Sequence, residues 1–130
     1  MPGETIYDLY ITDADRNIIR EEKSVAADAA EKIIREYPWR NSELQSFVQL
    51  WKQHTHFSFS VHYMHATKKF CVGFSDRVSL FKLPLPYVGV NYGLFDEMDD
   101  VIASLDLFLA GEFEKLKDFL AKYRPEQKGD

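Results

Sequence analysis

The stretch Phe57-Ser58-Phe59-Ser60-Val61-His62-Tyr63-Met64, followed after a polar turn by Phe70-Cys71-Val72-Gly73-Phe74, decides the fold. Phe57, Phe59, Val61 and Tyr63 alternate with Ser58, Ser60, His62 and Met64, and Phe70, Val72 and Phe74 resume the same beat. That two-residue period belongs to strands with one buried face. With the tip between Ala66 and Lys69, the pattern predicts an antiparallel hairpin in which Tyr63 faces Val72 and Val61 faces Phe74. Every large residue then lies on one side. A further strand is expected over 78–83, after which Pro84 and Pro86 impose an extended path through 87–92, an edge strand or a loop.

Working outward, Tyr7, Leu9 and Ile11 share one face of a strand over 6–12, and the turn-forming run 13–17 leads to a short return strand beginning at Ile18. Ser24 is placed to cap a helix with Ala26, Ala29, Ala30, Ile33 and Tyr37 at helical spacing, stopped by Pro38. A second helix is expected over 42–53 from the spacing of Leu44, Phe47, Val48 and Trp51. Asp96 is placed to cap a third, whose stripe is Met98, Val101, Ile102, Leu105, Phe108 and Leu109, with Gly111 at its left-handed end. A final helix over 112–123 carries Phe113, Leu116, Leu120 and Tyr123, before a polar tail at 124–130. Strands grouped between helices, without alternating βαβ units, give an α+β class: an antiparallel sheet of about four to six strands with helices mainly on one face.

The 130 residues suit one domain spanning 1–130, and 45% hydrophobic with 15% aromatic content is enough for a dense core. Sixteen Lys and Arg against 21 Asp and Glu leave −5, so there is no basic footprint for nucleic acid or an anionic membrane. The start Met1-Pro2-Gly3-Glu4 lacks the pattern of a secretory signal, and no apolar run reaches the ~18 to 20 residues that span a bilayer. The single cysteine, Cys71, rules out an internal disulfide. A cytoplasmic protein is expected.

Catalytic and metal motifs are missing from the sequence. His54 and His56 share a strand face, but His62 would lie about 20 Å further on, and neither HExxH nor paired CxxC occurs. Cys71, opposite Met64 and diagonal to His62 in the expected register, forms the sharpest enzymatic pair, although a strand centre offers no electropositive source to activate a thiol. The scattered glycines give no phosphate loop, and no GxSxG surrounds a serine. No enzyme activity, cofactor or metal is expected.

The most distinctive charge feature is Asp96-Glu97-Met98-Asp99-Asp100. Carboxylates in a first helical turn complement its dipole, which alone accounts for them. Asp96, Asp99, Asp100 and Asp106 nevertheless fall opposite the core stripe together with Leu107, which would be exposed among acids, as on a partner-binding patch. Tyr87 and Tyr92, braced by the prolines, either pack on the sheet edge or serve as contact residues.

The segment YGLFDEMDDVIASLDLFLAGEF (92–113) resembles the endings of small bacterial immunity proteins, including those against contact-dependent growth inhibition toxins. The resemblance implies a non-catalytic bacterial antitoxin in the cytoplasm that binds a cognate toxin domain, often a nuclease with a basic active site, and blocks substrate access. Partner-binding candidates Asp96, Asp99, Asp100, Asp106, Leu107, Tyr87 and Tyr92 come from the charge and aromatic reading, not from the resemblance. The alternative is a small ligand-binding or enzymatic domain with a pocket near Cys71 and His62; a homodimer is compatible with either.

Overall fold

The structure is a computed structural model that describes residues 6–13, 15, 17–41, 46–75 and 91–123. In chain order the elements are β1 (Tyr7–Thr12), β2 (Ile18–Val25), α1 (Ala27–Glu36), β3 (Phe47–Lys52), β4 (Ser58–Met64), β5 (Lys69–Ser75), β6 (Asn91–Phe95), α2 (Met98–Leu109) and α3 (Phe113–Lys122). The strands form one sheet in the order β2-β1-β3-β4-β5-β6, each pair of neighbours antiparallel. The fold is α+β, with the helices packed on the sheet face that carries Tyr7, Leu9, Val48, Leu50, Phe59, Val61, Phe70, Val72, Phe74 and Phe95.

The β4–β5 hairpin has the expected faces but a register shifted by two. Tyr63 pairs with Phe70, Val61 with Val72 and Phe59 with Phe74. The turn sets this: Lys68 adopts a left-handed φ of 59° and its N–H donates to Met64 O at 2.7 Å, closing the tip between Met64 and Lys69. A slip of two leaves side-chain parity intact, whereas a slip of one would have inverted it. It also places Cys71 directly opposite His62 rather than Met64. The strand expected over 78–83 lies outside the described residues.

The helix expected over 42–53 is not formed where it can be seen, because Phe47–Lys52 is a central strand between β1 and β4. Phe47, Val48 and Trp51 fit a helical period, yet Val48 and Leu50 also alternate inward, and a short apolar run satisfies either pattern. Ladder bonds on both sides decided the outcome. Ser24 likewise belongs to β2, at φ 59°, where its N–H donates to Asp8 Oδ1 (3.1 Å) and its hydroxyl accepts from Gln53 Nε2 (2.9 Å). Ala26 takes the N-cap of α1, whose inward residues are Ala30 and Ile34.

The inward residues of α2 are those its spacing called for, Val101, Ile102, Leu105 and Phe108, and Ser104 is buried with them by donating to the carbonyls of Asp100 and Val101. Gly111 holds the expected left-handed conformation, φ 76°, and turns the chain into α3. Gly93 lets α3 approach β6: a Cβ there would lie 2.8 Å from Leu120 O. Leu94 N–H then donates to Tyr123 O at 3.0 Å, closing the β6 edge.

The Phe108 ring has centroids of Tyr7, Phe59, Phe74 and Phe113 within 5.5 to 6.0 Å and is almost fully buried. Phe108→Ala should lower the unfolding free energy by about 3–5 kcal/mol in urea titration. Ile19→Ser, at a position 54% exposed, should change it by less than about 0.5 kcal/mol.

Candidate functional site

Two surfaces hold the chemically interesting side chains: the outward side of α1 and α2, and the sheet face turned away from the helices. On α2 the inward stripe leaves Asp99, Ala103 and Asp106 as the exposed line, with Asp100 half-buried beside it. Leu107, expected in solvent among these acids, is instead half-buried against the core. The Gly111 turn folds the chain back over the end of α2, where Glu112 N–H donates to Leu107 O at 2.9 Å.

Asp96 also departs from its expected role. Glu97 takes the N-cap position without a side-chain cap bond, while Asp96 accepts a 2.7 Å bond from Lys69 Nζ across the sheet end. An exposed pair of this kind is worth at most about 1 kcal/mol. Asp99 and Asp100 remain in the first turn, where the helix dipole favours them.

Asp106 sits where stability argues against a carboxylate. It lies near the C-terminal end of α2, beside carbonyls carrying partial negative charge, and no basic residue shares that last turn. Although the residue is exposed, desolvation, followed by the adjoining Glu31 carboxyl on α1, holds its own carboxyl above the ordinary carboxylate range. Arg35 opposes this, but its guanidinium is already paired with Glu31 at 3.1 Å. Across α1 and α2 the carboxylates are Asp28, Glu31, Glu36, Asp99, Asp100 and Asp106, and the cations Lys32 and Arg35: 2 − 6 = −4. For α3, three lysines against Glu114 and Asp118 give 3 − 2 = +1. Among the described helices the net negative charge is therefore carried by α1 and α2, and Glu31, Arg35 and Asp106 meet between them.

On the opposite sheet face, register builds two rows across all six strands. One reads Ile18, Thr12, Phe47, His62, Cys71, Leu94; the other reads Glu21, Tyr10, Gln49, Ser60, Gly73, Tyr92. Tyr92, a candidate contact residue, thus stands opposite Gly73, on the far side of the sheet from α2; Tyr87 lies outside the described residues. His62 stacks on Phe47 with centroids 4.1 Å apart and its Nδ1 lies 3.3 Å from Ser46 O. Burial pulls its imidazole below the usual histidine range, with the Ser46 carbonyl opposing. Cys71 is 8% exposed. His54 and His56 occupy the β3–β4 turn, exposed, and no group of three His, Cys, Asp or Glu side chains among the described residues could hold a metal ion.

Asp99 and Asp106 thus lie at opposite ends of the exposed line of α2, with Asp100 half-buried beside it, while Asp96 is tied to β5, Leu107 is turned inward and Tyr92 lies on the other side of the sheet. Glu31 and Arg35, which complete the seam, were not among the expected site residues. Their i,i+4 spacing is visible in the sequence, but the helix they lie beside is not. The row through Phe47, His62 and Cys71 depends on β3 being a strand and on the hairpin register. Comparison with known proteins gives no match: no protein family, curated protein or solved structure is significantly similar to the chain. No described helix is long and apolar enough to cross a membrane.

Two outcomes test these placements. A carboxyl with a raised native pKa binds its proton more tightly when folded, so its effect on stability is absent below the unfolded value and grows more unfavourable as pH rises through the folded one. Asp106→Asn should therefore raise Tm at pH 7, and the gain should shrink on acidification towards the ordinary aspartate range; a constant gain would show that Glu31 and burial are not its origin. Cys71, shielded mid-strand, should react with iodoacetamide far more slowly in the native protein than in urea, as followed by mass spectrometry.

Proposed function

We propose that the chain is a non-catalytic binding protein of the immunity type, which neutralises a basic bacterial toxin domain by laying the α1–α2 seam across it. The observation that carries this reading is the position of Asp106. At the unfavourable end of a helix, beside Glu31 and with a shared arginine to offset it, the ionised form of Asp106 is disfavoured in the free protein. A partner lysine or arginine would supply the missing charge. Perturbed ionisable groups concentrate where they act on something else.

The −4 of α1 and α2 gives the interaction its steering, since complementary potentials raise encounter rates and suppress wrong partners. Asp99, Asp100, Glu31 and Asp106 are the contacts on this reading, with Ala103 the small residue that lets a partner backbone approach. The basic partner is a protein toxin, and its active site is covered by the acidic surface. A cytoplasmic setting fits the single cysteine. The alternative, a small enzymatic or ligand-binding domain, rests on the direct pairing of His62 with Cys71; rapid native alkylation of Cys71 would favour it.

The decisive experiment pairs the full chain with the toxin domain encoded beside its gene. The two should form a 1:1 complex, association should slow as salt rises, and cells expressing the toxin should survive with the chain present. Reversal of Asp99, Asp100 and Asp106 to lysine should weaken binding on the order of a hundredfold and abolish survival, because like charges facing each other cost several kcal/mol. Unchanged binding by the reversed protein would overturn the proposed surface.

A further inference from the structure

On the sheet face opposite the described helices, β4 and β5 pair His62 directly with Cys71 and Met64 with Lys69. Directly opposed residues have Cβ atoms about 4.5–5.5 Å apart, and diagonal ones about 7–8 Å. Met64, two residues beyond His62 on the same face, is diagonal to Cys71, within reach of a flexible thioether. A thiol, an imidazole and a thioether therefore occupy one patch of two adjacent strands.

His62 is also oriented. The carbonyl oxygen of Ser46, 3.3 Å from Nδ1, can only accept a hydrogen bond, so Nδ1 carries the proton and Nε2 holds the lone pair in the neutral ring. Stacking on Phe47 at an interplanar angle of 16° fixes the ring plane. Anchoring one ring nitrogen on a backbone carbonyl is the outer-shell arrangement that metal-binding histidines use. Phe47 and Leu94 flank the pair in its row, with Thr12 and Ile18 further along and Lys69 opposite Met64; Cys71 is 8% exposed and His62 and Met64 are half-buried.

We propose that Cys71, His62 and Met64 form a three-ligand site for a soft monovalent metal ion, Cu(I). Calcium and magnesium need oxygen ligands, and none of these three side chains supplies one. Zinc closes its structural sites with four thiolate, imidazole or carboxylate ligands, and no group of even three such side chains is found among the described residues. Thiolate and thioether together select Cu(I). On binding, the thiol S–H bond is replaced by an S–Cu bond, one proton leaves to solvent, and the metal keeps its oxidation state. The site lies on the opposite side of the sheet from the acidic seam and does not depend on it.

The test uses the full chain without oxygen, with Cu(I) supplied as its bicinchoninate complex and followed by loss of that complex's colour. The protein should withdraw one equivalent. Cys71→Ser should abolish the transfer, and His62→Gln and Met64→Leu should each weaken it at least roughly tenfold, since loss of even an outer-shell partner costs that much. With Ag(I) as a redox-silent surrogate and methyl-labelled methionine, the Met64 NMR signal should shift while those of Met1 and Met98 stay. Circular dichroism establishes that each variant folds, and Met64→Leu, close in volume and half-buried, keeps the test available should another variant fail. Failure to withdraw copper, or a Met64→Leu protein that binds as tightly as the parent, would overturn the site.

Discussion

Phe108 is the interaction on which the rest of the architecture depends. Its ring contacts Tyr7 of β1, Phe59 of β4, Phe74 of β5 and Phe113 of α3, so one side chain ties α2 to three strands and a second helix. Aromatic groups of this size dominate core energetics through the area they remove from water. Once α2 lies over β4 and β5, the inward face of the sheet must be dry, and α1 and α3 complete the cover beside it. The described helices are short, the longest 12 residues, and much of β2 lies outside the core: Arg20 and Glu22 pair in solvent and Ile18 is 57% exposed. What remains uncovered is as much a product of the core as the core itself.

The elements legible in the sequence are those whose pattern has one solution. Seven residues of strict alternation in β4 admit no helix, and the stripe of α2 admits no half-buried strand. Residues 47–52 admit both, and only the neighbouring strands choose. Caps were less legible than faces. Ser24 and Asp96 have the right chemistry in the right place, yet each has a competing partner from distant sequence, Asp8 and Gln53 for one and Lys69 for the other. For the candidate site the acids on α2 were readable, because helical phase alone separates them from Val101 and Leu105. Glu31 and Arg35 were not, since pairing of α1 with α2 is a tertiary fact. Leu107 was placed in solvent by phase and removed from it by the turn at Gly111.

The charge distribution along α2 is not one that helix stability demands. A sequence selected for stability alone would place cations in the last turn of α2, where the carbonyls end, as α3 does with Lys122. In α2 that position holds Asp106, beside Glu31. Consistency between local preference and global fold is the norm, and departures from it concentrate at functional sites. The same reasoning gives less weight to Asp99 and Asp100, which the first-turn dipole already favours, and least to Asp96, whose ion pair occupies it.

The two surfaces differ in what they can recognise. The outward side of α1 and α2 is charged and in part exposed, which suits a partner that brings its own complementary charge. The row through Phe47, His62, Cys71 and Leu94 lies on the sheet face opposite the described helices, with Cys71 8% exposed and His62 half-buried. Burial disfavours the charged form of that imidazole and pulls it below the usual histidine range, while the Ser46 carbonyl works the other way. Since the sheet separates the surfaces, substitutions on one leave the geometry of the other in place, and an effect that crossed it would have to pass through the aromatic core around Phe59 and Phe74. Those rings are close-packed with Phe108, and such interiors resist graded deformation. Independence of the two sites is therefore what the packing favours.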